Sequence, residues 1–274
     1  MQGQIVKIIS NLYFVNSNNK IYECMARGKF RNDKIIPTVG DYVLFDKENN
    51  YILEILPRKN ILIRPSVSNI DQAFIITSLK EPDFSPNLLD KLLVMLEYNH
   101  IKPVIILTKS DLLQNKEKKE LNKYINYYKK IGYKVLYNNS LFRIKRLFKN
   151  KTTVFTGQTG AGKSSLINKL NKNLNLETGE ISKALGRGRH TTRHIELISM
   201  YKGKVLDTPG FSSLDLSSLK DIDIKNSFIE FKKYNCEFSN CMHLNERNCK
   251  VKNAVNNKEI LNSRYENYKK FINK

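Results

Sequence analysis

The sequence predicts an α/β protein in three parts: an N-terminal OB-fold β-barrel, a central parallel α/β domain with a P-loop, and a C-terminal helical segment that binds a metal ion. Three observations support this prediction. Short strand-like runs without intervening helices fill residues 1–64, and apolar strands alternate with helices over residues 65–217. Three of the four cysteines then lie close together within residues 218–274.

The N-terminal part reads as a small barrel. Several short strands separated by turns favour a closed β-structure, and the OB-fold is the best match in size. Arg27, Lys29 and Arg31 alternate with Gly28 and Phe30 in one loop, a mixture of charge and aromatic character that suits RNA. A solvated hairpin with a core phenylalanine is the alternative. The predicted strands are Gln4–Ser10, Leu12–Val15, Lys20–Met25, Tyr42–Phe45, Tyr51–Ile55 and Ile61–Ile63.

The central part shows the alternation that is typical of a parallel sheet covered by helices on both faces. In such sheets ligands bind at the carboxyl ends of the strands. The predicted strands are Ala73–Thr77, Val104–Thr108, Val135–Tyr137, Thr153–Thr156, Ile195–Met200 and Lys204–Leu206. The predicted helices are Asn87–Tyr98, Gln114–Ile131, Arg143–Phe148 and Lys163–Asn171.

A phosphate-binding motif follows the fourth of these strands and opens a helix, which is the context that a P-loop requires. Its glycines let backbone N–H groups surround phosphate oxygens at a helix N-terminus. Lys163 is expected to bridge the β- and γ-phosphates, and the Ser164 hydroxyl to bind Mg²⁺. The predicted nucleotide contacts here are Gly157, Gln158, Thr159, Gly160, Ala161, Gly162, Lys163, Ser164 and Ser165.

Two further segments fit the switches of a nucleotide hydrolase. Asp207-Thr208-Pro209-Gly210 follows a strand, so the Asp207 carboxylate is expected to hold Mg²⁺ through water and the Gly210 N–H to contact the γ-phosphate. The run Gly186–Arg193 is polar and contains adjacent threonines. Thr191 or Thr192 is expected to close over Mg²⁺, with Thr192 preferred. The arginines of this run are either solvated or in contact with RNA phosphate.

Thr108-Lys109-Ser110-Asp111 fits a guanine-recognition motif at the end of the second strand. The Asp111 carboxylate can accept hydrogen bonds from guanine N1–H and the 2-amino group, a pair that adenine lacks. The Lys109 stem can lie over the base. Asn139 and Ser140, after the third strand, fit the loop that backs the guanine.

The order of the motifs is informative, because in an ordinary GTPase the P-loop precedes the guanine motif and here it follows it. The sequence therefore predicts a circularly permuted GTPase domain. Phe211 occupies the position at which Ras-like enzymes carry the glutamine that orients water. We therefore predict slow intrinsic hydrolysis. His190 is the candidate helper in catalysis, and an exposed loop histidine or an RNA contact is its alternative.

The cysteine cluster has the spacing Cys236-x4-Cys241-x-His243-x5-Cys249. Three thiols and one imidazole suit one structural, tetrahedral Zn²⁺. Free buried cysteines beside a surface histidine are the alternative. The C-terminal helix over 258–272 repeats apolar residues at Leu261, Tyr265, Tyr268 and Ile272, which predicts a core-facing stripe.

Charge indicates the kind of partner. The chain has 274 residues and a net charge of +21, and the excess is spread along it. Basic surface favours a polyanion, most plausibly RNA, although a compositional bias toward lysine would look similar. No apolar run is long enough to span a membrane, and the N-terminus has no signal-peptide pattern. These features predict a cytoplasmic protein without a membrane partner.

With these residues assembled, the chain resembles the ribosome small-subunit-dependent GTPase A family over nearly its whole length. The resemblance adds Pro37-x-Val39-Gly40-Asp41, Pro57-Arg58-Lys59-Asn60-x3-Arg64-Pro65 and Arg264-Tyr265-x2-Tyr268 to the motifs above. Thr159 and Ala161 depart from the Ser and Val that are usual in the family, but the glycines, Lys163 and Ser164 are intact.

The resemblance implies an OB-fold, a permuted GTPase domain and a zinc domain that bind the small ribosomal subunit and its rRNA late in maturation. It also implies GTP and GDP as ligands, with Mg²⁺, and hydrolysis stimulated by the subunit. DNA is not expected as a partner, and a monomer is the default.

Two rival functions stay open at this point. One is a GTP-regulated RNA-binding or translation protein in which hydrolysis is incidental, and the other is a P-loop kinase that uses ATP. Subunit-stimulated turnover separates the first rival from an assembly GTPase, and competition between GTP and ATP tests the second.

Overall fold

The computed structural model describes residues 1–27, 30, 35–63, 66–171, 195–207 and 216–273, without the side chains of Ile63 and Asp207. The chain forms two compact units. The first comprises 1–72, 141–155 and 164–212, and the second comprises 73–140, 156–163 and 213–274. The boundaries of the three linear domains, at residues 64 and 217, stay a prediction.

The first unit contains a five-stranded barrel. Its strands pair antiparallel as β1–β2, β2–β3, β4–β5 and β1–β4, and the parallel pair β3–β5 closes the ring. Closure leaves few unpaired strand edges, and the predicted OB-like barrel is confirmed. The strands are β1 (Gln2–Ile9), β2 (Leu12–Ser17), β3 (Lys20–Ala26), β4 (Tyr42–Asp46) and β5 (Tyr51–Ile55).

The barrel closes because apolar side chains alternate along its strands. In β2, for example, Tyr13 and Val15 are buried and their neighbours are more exposed. A period of two places every second side chain on the inner face. The buried cluster inside the barrel consists of Ile5, Tyr13, Val15, Cys24, Phe30, Val43, Phe45 and Ile52.

The segment after the barrel is anchored by a buried carboxylate. Asp41 is fully buried and accepts hydrogen bonds from Arg58 Nε at 2.7 Å, Ser68 Oγ at 2.6 Å and the Thr38 backbone N–H at 2.8 Å. A buried charge requires such partners. Two of the motifs that carry the family resemblance, around Asp41 and Arg58, are thus structurally linked.

The predicted strand Ile61–Ile63 exists, but it does not belong to the barrel. It forms β6 and pairs with β7 (Ser66–Ser68) in a separate two-stranded sheet. The sequence pattern missed β7 because it holds one apolar residue between two serines, whereas β6 is a continuous apolar run.

The remainder of the first unit extends the sheet from the barrel. Strand β11 (Thr152–Gly157) runs parallel to β13 (Gly203–Asp207). Strand β12 (Glu196–Met200) is antiparallel to β13 and also to β1, where Lys7 faces Glu196. The expectation of an all-parallel sheet is therefore wrong for β12, because the short turn between β12 and β13 forces a hairpin.

In the second unit, strands β10, β9 and β8 lie side by side in that order. Strands β9 and β10 are parallel, and β8 and β9 are almost completely buried. Buried parallel strands carry continuous apolar runs, which is why the sequence revealed them. The strands are β8 (Gln72–Ser78), β9 (Lys102–Thr108) and β10 (Lys134–Tyr137).

The helices begin and end close to their predicted positions in the α/β part. Ser85 caps the first helix by accepting a hydrogen bond from the Leu88 N–H, and Pro86 occupies its first turn. None of the helices in the described part of the chain has the length and apolar composition that a membrane span requires. The helices are α1 (Pro86–Tyr98), α2 (Asn115–Lys130), α3 (Leu141–Leu147), α4 (Lys163–Leu170), α5 (Asp221–Ser227), α6 (Lys250–Asn256) and α7 (Asn262–Ile272).

The C-terminal segment differs from its prediction in detail. The helix predicted over 258–272 begins only at Asn262. Helix α5 ends at Ser227, and a 3₁₀ turn over Ile229–Lys233 follows it. Helix α6 was missed, because its sequence KVKNAVN contains two asparagines and no Leu, Ile, Met or aromatic side chain. The predicted stripe on α7 is partly confirmed, since Tyr265 and Tyr268 are buried and Leu261 and Ile272 are half-buried.

A buried ion cluster holds α7 against α1. The Arg264 guanidinium contacts Asp90 Oδ1 at 2.6 Å through Nη1 and Glu230 Oε1 at 2.7 Å through Nε. Asn267 donates to the second oxygen of Asp90 at 2.6 Å, and Tyr128 donates to the first at 2.6 Å. The neighbouring carboxylates hold the pKa of Arg264 above its ordinary value despite its burial.

Candidate guanine-nucleotide and metal sites

The P-loop connects the end of β11 to the start of α4. Gly157 has φ +134°, and a Cβ added there would lie 2.1 Å from the carbonyl oxygen of Ile76. Only glycine fits such an approach between two backbones. Gly160 and Gly162 also have positive φ values, +77° and +89°. The local geometry therefore explains why these three positions are glycines.

Lys163 extends across this loop. Its ammonium group donates to the carbonyl oxygens of Gly157 and Gln158, each at 2.9 Å. Burial lowers the pKa of Lys163. The positive charge is thus held inside the turn that the loop makes. A loop of this kind can accommodate phosphate oxygens on its backbone amides and on this ammonium group.

A hydrogen bond joins the two nucleotide motifs inside the second unit. Thr108, at the end of β9, is buried and donates through Oγ1 to the carbonyl oxygen of Ala161 in the P-loop at 2.7 Å. Residues that lie 53 positions apart in the chain are thereby placed together. The permuted order of the motifs does not keep them apart in space. Their proximity depends on which strands are neighbours in the sheet and not on their order in the chain.

The rest of the guanine motif turns out of the sheet. Lys109 has a left-handed φ of +55°, and Ser110–Leu112 form one 3₁₀ turn. This turn leaves Asp111 exposed, with its carboxylate accessible to a base. The Lys109 ammonium group donates to the carbonyl oxygen of Glu81.

Asn139 and Ser140 lie beside the guanine motif. Tyr137 at the end of β10 is paired with Leu107, and the Asn138 N–H donates to the Leu107 carbonyl at 2.9 Å. The turn closes with the Ser140 N–H donating to Tyr137 O at 2.9 Å. The loop predicted to back the guanine is therefore adjacent to Thr108 and Lys109.

Sequence reasoning missed the loop between β8 and α1. Its Glu81 carbonyl receives Lys109, and Pro82 lies 3.6 Å from the position that a Cβ on Gly160 would take. Lys80 of this loop also pairs with Glu117 at 2.9 Å. The loop contacts the two nucleotide motifs through the backbone carbonyl of Glu81 and the ring of Pro82. Such contacts require no particular sequence motif, so the sequence could not reveal them.

Several predicted site residues lie outside the described part of the chain. These are the switch candidates Gly186–Arg193, with His190, Thr191 and Thr192, and the residues Thr208–Phe211, with Gly210. For Asp207 the structure describes only the backbone, which ends β13.

The predicted metal ligands converge. The sulfurs of Cys236, Cys241 and Cys249 lie 3.5, 3.2 and 3.4 Å from Nδ1 of His243, and those of Cys236 and Cys249 lie 3.8 Å apart. All four ligand atoms lie within 4.8 Å of one another. A tetrahedral Zn²⁺ with ordinary bond lengths would place its ligands about 3.6 to 3.8 Å apart. The cluster is thus compatible with zinc.

The backbone around these ligands is fixed by the C-terminal helices. Tyr265 donates to the carbonyl of His243 at 2.7 Å, and Tyr268 donates to that of Met242. Glu246 accepts the N–H groups of Met242 and Leu244 at 2.5 and 2.7 Å. His243 can therefore keep its left-handed φ of +61°.

The fold, the P-loop and the adjoining guanine motif together define a GTPase whose nucleotide-binding domain is circularly permuted. A family described as RsgA GTPase matches residues 55–217, and the RsgA N-terminal domain matches residues 2–52. The chain belongs to the RsgA GTPase family. It is therefore a GTP-hydrolysing enzyme, and the family implies a guanine nucleotide as its ligand.

Relatives and solved structures agree with this assignment. The Small ribosomal subunit biogenesis GTPase RsgA of Latilactobacillus sakei is 48% identical and covers 98% of this chain and 94% of its own. The protein of the same name from Enterococcus faecalis is 46% identical, with 99% and 94% coverage. YloQ, described as a circularly permuted GTPase, has a TM-score of 0.84 at 37% identity and covers 99% of this chain and 93% of its own. YjeQ from Thermotoga maritima has a TM-score of 0.85 at 32% identity, with 99% and 96% coverage.

Proposed function

We propose that this chain is a GTP hydrolase that binds the small ribosomal subunit, acts late in its maturation and is stimulated by it. The observation that carries the proposal is the hydrogen bond from Thr108 to Ala161, which joins a guanine motif to a P-loop in permuted order. The relatives match nearly the full chain, and their names refer to biogenesis of the small ribosomal subunit. These names support the small subunit as the binding partner.

In this proposal the nucleotide lies between the two motifs. Asp111 accepts hydrogen bonds from guanine, the stem of Lys109 covers the base, and Thr108 orients the P-loop. Lys163 exchanges its two carbonyl partners for the β- and γ-phosphates. The other residues proposed to contact the nucleotide are Ser110, Asn139, Ser140, Gly157, Gln158, Thr159, Gly160, Ala161, Gly162, Ser164 and Ser165.

Magnesium would be held by oxygen ligands. The Ser164 hydroxyl and the Thr192 hydroxyl are the proposed direct protein ligands, and Asp207 the indirect one, with Gly210 contacting the γ-phosphate. When bound, Mg²⁺ would neutralise charge that develops on the phosphate oxygens.

The mechanism also needs a residue that positions the attacking water. Phe211 cannot do so, because its side chain cannot hydrogen-bond to water. We propose that His190 takes this role in the subunit-bound enzyme. We expect His190→Ala to lower subunit-stimulated turnover and leave GTP affinity intact. Unchanged turnover with unchanged affinity would refute the role.

The C-terminal segment is proposed to hold one structural Zn²⁺ and to contact rRNA. Because the chain is permuted, the segment after Asp207 leads within about ten residues into the zinc region rather than into further sheet strands. The γ-phosphate state could therefore be transmitted directly to the part of the chain that grips the subunit. We further propose a monomeric, cytoplasmic protein that binds neither DNA nor membranes.

The test is co-sedimentation of the protein with purified small subunits in the presence of a non-hydrolysable GTP analogue or GDP. We expect at least about tenfold tighter binding with the analogue, which corresponds to a coupling of about 1.4 kcal/mol. The Lys163→Ala variant, which should bind neither nucleotide well, serves as the control. Equal affinity of the analogue-bound and GDP-bound wild-type protein for the subunit would contradict control of subunit binding by the nucleotide.

A further inference from the structure

A cationic and aromatic patch lies in the first unit and contains no residue of the P-loop, the guanine motif or the metal cluster. Helix α3, the turn that follows it and the β12–β13 turn contribute its exposed side chains. The residues, named the Phe142 patch from here on, are Phe142, Arg143, Arg146, Lys149, Tyr201 and Lys202.

Backbone hydrogen bonds fix the parts of the patch to one another. The Asn150 N–H donates to Lys202 O at 2.9 Å, and the Lys204 N–H donates to Lys151 O at 2.9 Å. A Cβ added to Gly203 would lie 1.9 Å from the Phe148 carbonyl oxygen, so the two turns touch directly. The backbone that carries the patch is therefore held by internal hydrogen bonds, which lowers the cost of ordering it when a partner binds.

Buried residues beneath the patch hold it in place. Ile144 and Phe148 are both fully buried, and the Phe148 ring lies 5.8 Å from that of Tyr201. The outer residues of α3 thus project from a helix whose inner face is anchored.

Phe142 is the most exposed aromatic side chain among the described residues, at 72%. An isolated exposed apolar residue is common and carries little information. This ring, however, has the Arg146 guanidinium 5.6 Å from its centroid, and the Lys145 ammonium group lies 5.2 Å from the neighbouring Tyr201 ring. Exposed aromatic faces and neighbouring cations are the two components of a surface that binds single-stranded nucleic acid.

Among the described residues, no salt bridge joins an acidic side chain to the patch. Residues 121–176 contain no Asp or Glu. Of the described carboxylates that contact this part of the chain, Asp71 accepts the Thr152 N–H at 2.8 Å and pairs with Lys59 at 2.9 Å. Glu196, in the strand that leads to the β12–β13 turn, pairs with Lys7 at 2.8 Å. A polyanion would therefore meet cations that no described carboxylate pairs with.

We infer that the Phe142 patch binds an unpaired RNA segment, with one base stacked on Phe142 and the flanking phosphates paired with Arg143, Arg146 and Lys149. The inference rests on the proposed function, since it specifies where subunit RNA meets this unit. An unpaired segment fits better than a duplex, because only an unstacked base offers its face to an exposed ring.

The first experiment separates stacking from charge. Binding of the full-length protein to a short oligouridylate, and to an abasic oligomer of equal length and charge, is measured by fluorescence anisotropy. We expect Phe142→Ala to weaken oligouridylate binding about fivefold or more and to leave abasic binding unchanged. The double variant Arg143→Gln/Arg146→Gln should weaken both, and the slope of log affinity against log salt should fall by about 0.7 for each phosphate that the variant no longer neutralises.

A matched control removes one exposed aromatic and one exposed cation elsewhere. Tyr98→Ala/Lys102→Gln, at the end of α1 and the start of β9, should change oligouridylate affinity less than about twofold, because neither side chain belongs to the patch. Thermal unfolding of each variant verifies the fold. Oligouridylate affinity of Phe142→Ala equal to the wild type, or an equal loss for both oligomers, would overturn the stacking inference.

The second experiment distinguishes this inference from the proposed function. Subunit-stimulated GTP hydrolysis is measured for the wild type and for Phe142→Ala/Arg146→Gln at increasing subunit concentration. We expect a several-fold rise in the subunit concentration for half-maximal stimulation, with the basal rate unchanged. If the subunit stimulates the wild type and the variant with the same concentration dependence, the inference about the patch is overturned and the proposed function stands. If the subunit does not stimulate the wild type, the proposed function itself is contradicted.

Tighter binding of an acidic peptide than of oligouridylate would assign the patch to a protein partner and overturn the RNA inference.

Discussion

At the scale of single residues, the proposed selection of guanine depends on one carboxylate. Asp111 is exposed in the middle of a 3₁₀ turn, and its neighbours Thr108 and Lys109 are held by the Ala161 and Glu81 carbonyls. The carboxylate can only accept hydrogen bonds at neutral pH, which suits the N1–H and the 2-amino group of guanine. Selectivity then depends on the pattern of donors that the base presents.

The first prediction follows from this pattern. Asp111→Asn should lower GTP affinity by about 100-fold or more, because one acceptor becomes a donor that faces the guanine 2-amino group. The same variant should gain affinity for xanthosine triphosphate, whose 2-oxo group accepts. Competition titration with a fluorescent nucleotide measures both. Glu120→Gln, an exposed carboxylate on α2, is the control, and undiminished GTP affinity of Asp111→Asn would remove the residue from the base site.

Residues differ in how far the sequence reveals them. The P-loop and the four converging Cys and His side chains could be located, because phosphate binding and tetrahedral coordination demand fixed residue types at short spacing. The Lys109–Glu81 contact and the Thr108–Ala161 hydrogen bond could not. Their acceptors are backbone carbonyls, which every residue carries.

At the scale of elements, α7 is joined to α1 by charge as well as by apolar packing. Arg264 is 1% exposed and lies between Asp90 and Glu230, which are both buried. Burial raises the pKa of the Asp90 carboxyl, and Arg264 opposes this rise. Breaking such a cluster on one side is costly, because the remaining charges stay buried without partners.

The second prediction is that Arg264→Met lowers the free energy of unfolding by about 3–5 kcal/mol. Urea denaturation followed by circular dichroism measures the change. Arg264→Lys should recover only part of it, since an ammonium group does not reproduce the fork that contacts both carboxylates. Arg247→Met, at an exposed position, should alter stability by less than about 0.5 kcal/mol. A loss of that small size for Arg264→Met would refute a stabilising cluster.

The elements show why some of the fold could be predicted and some could not. The barrel strands and the parallel strands β8 and β9 were visible because alternation and continuous apolar runs report burial directly. The antiparallel direction of β12 was missed, since an apolar run is the same in both directions. The short elements β7 and α6 were missed because they carry few large apolar side chains.

At the scale of the whole molecule, zinc is expected to stabilise the C-terminal segment. The cysteine and histidine ligands lie within residues 234–249, which precede α6 and form neither helix nor strand. Metal binding then contributes directly to folding.

The third prediction concerns this metal. The purified wild-type protein should contain about one zinc per chain by elemental analysis, and Cys241→Ser should contain almost none and lose structure in the segment first. Hydrogen exchange of residues 236–272 measures that loss. Cys24→Ala, which removes the buried barrel cysteine, should keep its zinc. Full zinc content in Cys241→Ser, with unchanged protection, would contradict the assignment of ligands.

Permutation could be predicted from motif order, because each motif has its own chemistry wherever it falls in the chain. The subunit as partner could not be derived from residues in the same way. Net charge indicates a polyanion, but it does not say which one.

The most direct test of a subunit-activated enzyme is GTP hydrolysis by the purified protein with and without small ribosomal subunits, with ATP as the control nucleotide. We predict slow turnover of GTP alone, stimulation of about tenfold or more by the subunit, and no stimulated hydrolysis of ATP. A tenfold change corresponds to about 1.4 kcal/mol in the activation barrier. GTP that binds but is hydrolysed at the same rate with and without subunits would contradict activation by the subunit.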